Sequence, residues 1–504
     1  MQAVLTTLDS IIWSPALIYL CLAAGLFFSV LTRLVQVRQF AEMWRLLFSG
    51  RSSTRGISSF QALAVSLSGR VGTGNIAGVA AAIGFGGPGA VFWMWVVAFF
   101  GASTAFVEAT LGQIYKEVDE GQYRGGPAFY IEKAMGLRWY AVLFAITTVI
   151  ATGMLLPGVQ SNSLSNAAEV AFGAGQLIET GMGDIGFTKI ITAVGVVMVL
   201  GFIIFGGVRR IAAFTQIIVP FMALAYIIIA CAIIALNINE LPAIIGQIVG
   251  DAFTPMAGFG AAIGWGVKRG VYSNEAGQGT GPHAAAAAEV EHPAQQGLVQ
   301  AFSVYIDTLF VCTATAFMIL ITGAYNVVGP NDTFLVQNLA ADVIISSPAF
   351  TQTGVDSVLP GFGKPFVAFA LFFFSFTTIL AYYYIAETNI AYLRRFLPVP
   401  GASFILRLVL MAAVFYGAVR SADIAWKLGD LGVGLMAWLN IVAILIIYFM
   451  AGPAIRALRD YEQQRREGAT TFRFDPEELG IRGGEFWRDK LRRDNQAVNA
   501  DTTP

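Results

Sequence analysis

Two stretches of this 504-residue chain mix residue types that apolar segments rarely hold together. Residues 68–78, SGRVGTGNIAG, set Arg70, Thr73 and Asn75 among glycines. Residues 264–282, GWGVKRGVYSNEAGQGTGP, set Lys268, Arg269, Tyr272, Asn274 and Glu275 among more of them. Glycine weakens a helix, and a helix unwound inside an apolar run exposes N–H groups at the start of one half and carbonyls at the end of the other. The N–H end attracts an anion such as a carboxylate; the carbonyl end coordinates a cation. One break therefore suits an amino-acid zwitterion together with a metal ion. Thr73 and Asn75 add side-chain donors beside the carboxylate position, Tyr272 and Tyr382 are candidate aromatic walls, and the glycine crowding argues for a small ligand. The adjacent hydroxyls of Thr377 and Thr378, in 374-FSFTTIL-380, offer oxygen to a hard cation such as sodium, unless they bond back to their own helix.

Other readings of the same residues fail on chemistry. Small residues at spacing four, such as Gly74 and Gly78, would serve helix packing, but Arg70, Asn75, Asn274 and Glu275 are costly in hydrocarbon unless paired or wetted. The spacing in GTGNIAG is not that of a dinucleotide loop, and neither a preceding strand nor an acidic ribose ligand accompanies it. A Walker A sequence is absent, so the chain alone does not drive transport with ATP. His283 and His292 are too few for a metal centre, and Cys21, Cys231 and Cys312 read as small core residues. With no nucleophile–base constellation, no enzyme and no organic cofactor are expected. A net charge of −1 gives no hint of nucleic acid.

The elements that must position these residues are membrane helices. The chain is 56% hydrophobic and 12% charged, against about 25% charged in soluble domains. Apolar runs long enough to span a bilayer fall near 11–31, 58–84, 89–115, 138–160, 187–207, 213–236, 257–285, 296–323, 364–386, 403–420 and 430–450. Basic residues test this set. Arg33, Arg38, Arg45, Arg51 and Arg55 follow the first run, and alternation sends Lys116, Arg124, Lys133, Arg138, Arg209, Arg210, Arg394 and Arg395 to the same side. That side is the cytoplasm, which puts the N-terminus outside and the arginine-rich tail inside. The first run lacks a basic n-region and reads as a retained helix. The tail is expected to be a solvated extension, and 116–137 a partly amphipathic segment on the inner surface.

The broken runs lie five spans apart. With residues 1–56 as an outer N-terminus, accessory helix and linker, they open two five-span units, 57–236 (broken near 69–78) and 257–450 (broken near 266–282), before a cytoplasmic tail at 451–504. Five is odd, so the second unit is inverted, and matching broken helices in inverted halves point to a transporter site at the midplane. A channel would instead want a continuous polar stripe.

The motifs GRVGTGNIAG, GVYSNEAGQGTGP and 292-HPAQQGLVQAFSVYIDT-308 resemble the alanine or glycine:cation symporters, in the same order and over about 35–450. The resemblance implies an all-α polytopic membrane protein of the LeuT type, with about eleven transmembrane helices in a 5+5 inverted repeat plus one accessory helix. It implies sodium as co-transported ion and a small neutral amino acid as substrate, with a bacterial inner membrane as location, membrane lipid as surroundings and no statement on oligomeric state. Carbonyls of Ser68, Val71 and Phe374 and the hydroxyls of Thr377 and Thr378 would form the sodium site; 374, 377 and 378 share one helical face. Thr73, Gly74 and Asn75, with Tyr272 to Asn274, would hold the substrate, and Gln160 in 157-PGVQSNSLSN-166 would hydrogen-bond it. Tyr382 stands where the family pattern has Trp, which makes the pocket roomier or more polar and admits serine beside alanine and glycine. Arg70, if aimed at the region of a second sodium, would repel it; alternatively it pairs with Glu108 or Asp307. Asp307 would ligate a cation or carry a proton, and Lys268 and Arg269 would pair with Glu275 as a gate. Glu108 and Glu387 are further buried ionisable groups. Proton coupling on the same fold is the alternative to sodium coupling.

Overall fold

The computed structural model describes residues 2–48, 56–180, 183–329 and 333–501. Arg51, Arg55 and the side chain of Arg209, used above to orient the chain, lie outside the described residues. Among the described residues nine helical segments are long and apolar enough to cross a bilayer. The broken second and seventh spans complete the expected eleven. The first span begins earlier than its apolar run, at Gln2, and its two helices meet at Trp13 and Ser14 before Pro15, which fits a first helical turn but not an interior.

The elements recur in the same order in two halves. A short helix (Phe40–Leu47) precedes the first broken span and another (Leu241–Phe253) precedes the second. Each broken span leads to a long helical span, Gly89–Ile114 and Pro293–Ile321. Then come a β-hairpin and a short helix: Glu117–Asp119 with Gln122–Arg124 and Pro127–Met135 in one half, Asn326–Val328 with Phe334–Gln337 and Ala349–Val358 in the other. Three more spans close each half: Arg138–Phe172, Phe187–Ile204 and Arg210–Leu236, then Gly363–Leu393, Ala402–Val419 and Ala422–Met450. Five crossings per half invert the second relative to the first.

Spans two, three, seven and eight pack on one another as one group. Spans four, five, nine and ten pack as a second, and the first break lies between the two groups, touching both. Close approach within the first group needs glycine: a Cβ at Gly266 would stand 2.5 Å from the Ala90 carbonyl oxygen.

Two surface expectations are corrected. Segment 116–137 does not lie flat as one amphipathic stretch; it forms the first hairpin and a helix whose residues Pro127 to Ile131 are buried. The tail is not a solvated extension. Its helix Pro453–Arg466 buries Ala454, Ile455, Ala457, Leu458 and Tyr461, and Phe474, Phe486 and Trp487 are buried beyond it.

Candidate functional site

The first break begins where the helix Ser59–Arg70, opened by a Ser58–Gln61 capping box, runs into Val71 and Gly72. A 3-10 turn at Thr73–Asn75 follows, and Ala77–Gly86 completes the span. The exposed N–H groups find side-chain acceptors: Gly72 N–H donates to Asn75 Oδ1 (2.8 Å) and Thr73 N–H to Gln160 Oε1 (3.0 Å). Asn75 and Gln160 thus shape the break itself. Gly74 lets the two breaks touch, since a Cβ there would stand 3.2 Å from the Tyr272 ring and 3.3 Å from Ser273 Cα.

Thr378 reaches across from span nine. Its Oγ1 lies 2.7 Å from the Ser68 carbonyl, 2.9 Å from that of Phe374 and 3.5 Å from that of Val71. Thr377 Oγ1 lies 3.1 Å from the Phe374 carbonyl and 2.8 Å from that of Phe373, so it bonds back to its own helix. All five oxygen-bearing residues expected from the sequence are therefore neighbours, with Thr378 as the hydroxyl that links the two spans.

The second break is shorter than expected. Tyr272, Ser273 and Asn274 still belong to the helix Phe259–Asn274; the unwound part is 275–280, before Gly281–Ala287. Glu275 (φ 57°), Gly277 (φ 87°) and Gly279 (φ 83°) take left-handed conformations there. Glu108 accepts from the N–H groups of Gly277 (3.3 Å) and Gly279 (3.2 Å) and from Asn440 Nδ2 (2.8 Å), and Asn440 also donates to the Gly277 carbonyl. Asn274 Oδ1 accepts from Ala276 N–H, and Thr280 donates to Glu275 Oε2.

Lys268 and Arg269 do not pair with Glu275. Arg269 makes two 2.8 Å hydrogen bonds to Asp430, while Lys268 bridges Asp430 (2.8 Å) and Asp9 (2.9 Å). The Arg269 guanidinium lies 4.4 Å from the Trp426 ring centre, and Trp426 packs on Tyr272 at 5.1 Å. This network covers Tyr272 on the side of the molecule away from the tail. Arg70 makes neither expected pairing with Glu108 or Asp307: its Nη1 donates to the Gln300 carbonyl (3.0 Å), and Nε and Nη2 have no hydrogen-bond partner. Asp307 instead gathers Asn75, Ser273 and Thr308. Tyr382 is buried beside Gln160.

Buried polar groups are normally satisfied. Thr73 Oγ1, Asn274 Nδ2 and Glu275 Oε1, at or beside the breaks, are among the buried side-chain atoms without a hydrogen-bond partner. They are free to meet a polar ligand. Sequence reasoning passed over Asn440, Trp426 and Asp430 and gave Ser273 no role of its own; none carries a local signal, because each acts on a partner distant in the chain.

The family model for the sodium:alanine symporter family matches residues 1–475. Three relatives extend the match over nearly the whole chain. A putative sodium/proton-dependent alanine carrier protein of Bacillus subtilis is 56% identical, over 98% of this chain and 99% of its own length. A sodium/proton-dependent alanine carrier protein of Bacillus sp. strain PS3 is 47% identical, over 90% and 98%. A probable sodium/glutamine symporter of Bacillus subtilis is 40% identical, over 91% and 90%. The chain belongs to the sodium:alanine symporter family, a family of membrane transporters and not of enzymes.

Proposed function

We propose that this chain is a secondary-active symporter that uses sodium influx to bring a small neutral amino acid, alanine foremost, into the cell. The observation that carries the reading is Thr378, whose hydroxyl joins the Ser68, Val71 and Phe374 carbonyls across two separately packed groups of helices. Sodium entering there replaces the hydroxyl's hydrogen bonds with ion–oxygen contacts and ties span nine to the first break. Thr377 turns to join it. The substrate sits on the other side of the same break, at Thr73, Gly74 and Asn75, walled by Tyr272 and Tyr382 with Gln160 and Asn274 at its edge. Because ion and substrate share one unwound segment, each raises the affinity for the other equally.

The two units at 57–236 and 257–450 act as the inverted halves, with 1–56 as accessory segment and 451–504 as cytoplasmic tail, in a bacterial inner membrane with the N-terminus outside. Glycine is accepted beside alanine, and the Tyr382 hydroxyl extends the range to serine. Coupling to protons is the second reading, favoured by three buried carboxylates, Glu108, Glu275 and Asp307, around the buried guanidinium of Arg70.

Uptake of radiolabelled alanine into proteoliposomes, under a sodium gradient or a proton gradient, tests the function. Sodium alone should drive uptake. Thr378→Ala should weaken apparent sodium affinity at least about tenfold, or about 1.4 kcal/mol, and Thr377→Ala should weaken it less. Uptake driven by protons and indifferent to both substitutions would overturn sodium coupling; no uptake with either gradient would overturn alanine as substrate.

A further inference from the structure

Asp307 lies on span eight, in a π-helical turn at Tyr305–Cys312. A π-turn widens the helix so that residues five apart share a face, and such turns concentrate at functional sites. Asp307 and Cys312 are five apart, and both face the two breaks. Asn75 Nδ2, from the first break, donates to Asp307 Oδ1 (2.6 Å) and lies 3.2 Å from the Asp307 carbonyl oxygen and 3.3 Å from Cys312 Sγ. Ser273 Oγ, in the last helical turn before the second break, lies 3.0 Å from each Asp307 carboxylate oxygen and 3.2 Å from Cys312 Sγ. Thr308 Oγ1 donates to Oδ2 (2.6 Å).

We propose that Asp307 is a positioning residue: its carboxylate clamps Asn75 of the first break to Ser273 in the last helical turn before the second, so that the two broken spans move as one body. The chemistry of the contacts separates this role from ion carrying. Asn75 offers only N–H, and the two hydroxyls point their hydrogens at the carboxylate, so its oxygens are already occupied by donors. A carboxylate held by several N–H and O–H donors is satisfied without a counter-ion. A cation at Asp307 would displace those donors, and each displaced group would lose its partner in a dry interior. The donors are also well placed for the clamp. Asn75 Oδ1 holds the N–H of Gly72, the glycine whose Cα side is pressed against Thr378, while Ser273 is the neighbour of both Tyr272 and Asn274. Fixing Asn75 and Ser273 against one carboxylate therefore sets the spacing between the sodium-facing and substrate-facing parts of the site. All three residues belong to spans two, seven and eight, which pack as one group.

This inference rests on the symporter reading, and the variants separate the two. Asp307→Asn keeps the shape and an acceptor for Asn75, and its amide can donate to a hydroxyl of Ser273 or Thr308, but it removes the charge. Sodium-driven alanine uptake by Asp307→Asn should stay within about threefold of wild type, with the sodium half-saturation and the pH profile unmoved. Asp307→Ala should lose at least about thirtyfold in uptake. If Asp307→Ala does not assemble, Ser273→Ala replaces it, removing the link to the second break; its KM for alanine should rise at least about tenfold while Asp307→Asn stays near wild type. An Asp307→Asn variant that loses uptake, or whose sodium or pH dependence shifts, would overturn the clamp by showing that the charge is needed. So would an Asp307→Ala variant that transports normally. Absence of alanine uptake in wild type itself would fail the functional reading instead. Thermal stability then reads the clamp: Asp307→Ala should melt lower than wild type and Asp307→Asn should match it, and equal loss in both would overturn the proposal.

Discussion

At Gly72 a Cβ would stand 2.5 Å from Thr378 Oγ1 and 3.0 Å from Gln160 Oε1. Backbone strain plays no part, because the extended conformation of Gly72 (φ −140°, ψ −150°) is open to any residue. The demand is for space between the first break and span nine. Gly72→Ala should therefore fold normally and lower apparent sodium affinity at least about tenfold by pushing Thr378 away, a cost of about 1.4 kcal/mol or more. Sodium titration of alanine uptake checks this, and a Gly72→Ala variant with wild-type sodium dependence would show that Thr378 is not at the ion. The break itself was legible in the sequence, because arginine, asparagine and glycines inside an apolar run conflict with an unbroken helix. The role of Asp307 was not. Its partners lie 232 and 34 positions away, and a buried aspartate reads the same whether it holds an ion or hydroxyl groups.

Elements were legible to different degrees. Long apolar runs gave the spans because hydrocarbon thickness sets their length. The hairpins were missed: strands of three or four residues carry no periodicity to read. The second break was drawn too long, since 264–282 is glycine-rich throughout. What locates the unwinding at 275–280 is a pair of distant side chains, Glu108 and Asn440, that satisfy the freed backbone groups. The partner of Arg269 was hidden for the same reason, Asp430 being 161 positions away. That pair joins span seven to span eleven, with Lys268 and Asp9 adding span one, so three elements close over Tyr272 through one buried carboxylate. Removing one partner of a buried ion pair leaves uncompensated charge, typically at a cost of about 3–5 kcal/mol. Asp430→Asn should be destabilised on that scale, since Asp9 alone would face two cations. A thermal denaturation curve matching wild type would show that the network contributes nothing to closure.

Across the whole molecule, the tail ties together the ends of elements that are far apart in the chain. Its burial had a signal, for Ala454, Ile455, Ala457, Leu458 and Tyr461 recur at helical spacing; the surrounding charge masked it. Ile57, before the first broken span, pairs with Ala288, after the second. Over that junction Trp487 donates to the Gln113 carbonyl, Lys490 to that of Val290, and the Phe472 N–H to Glu291. His292, just beyond, is held neutral by its contacts. Its Nδ1 accepts from Ala294 N–H, which leaves Nε2–H to donate to Asp460 of the tail at 2.9 Å, with the rings of Tyr461 and Phe474 packed against it. Burial lowers its pKa below the ordinary 6.5, and the Asp460 carboxylate only partly opposes that. A histidine whose pKa is depressed in the docked state takes up its proton more readily once the tail is released. Docking is therefore fully supported above pH 6.5 and loses this support as pH falls below it, toward the depressed value. Melting curves between pH 8 and pH 5.5 should show a larger acid loss for wild type than for His292→Asn, which keeps a capping oxygen and does not titrate. Equal acid sensitivity in the two proteins would mean that the tail is held without regard to the charge on His292.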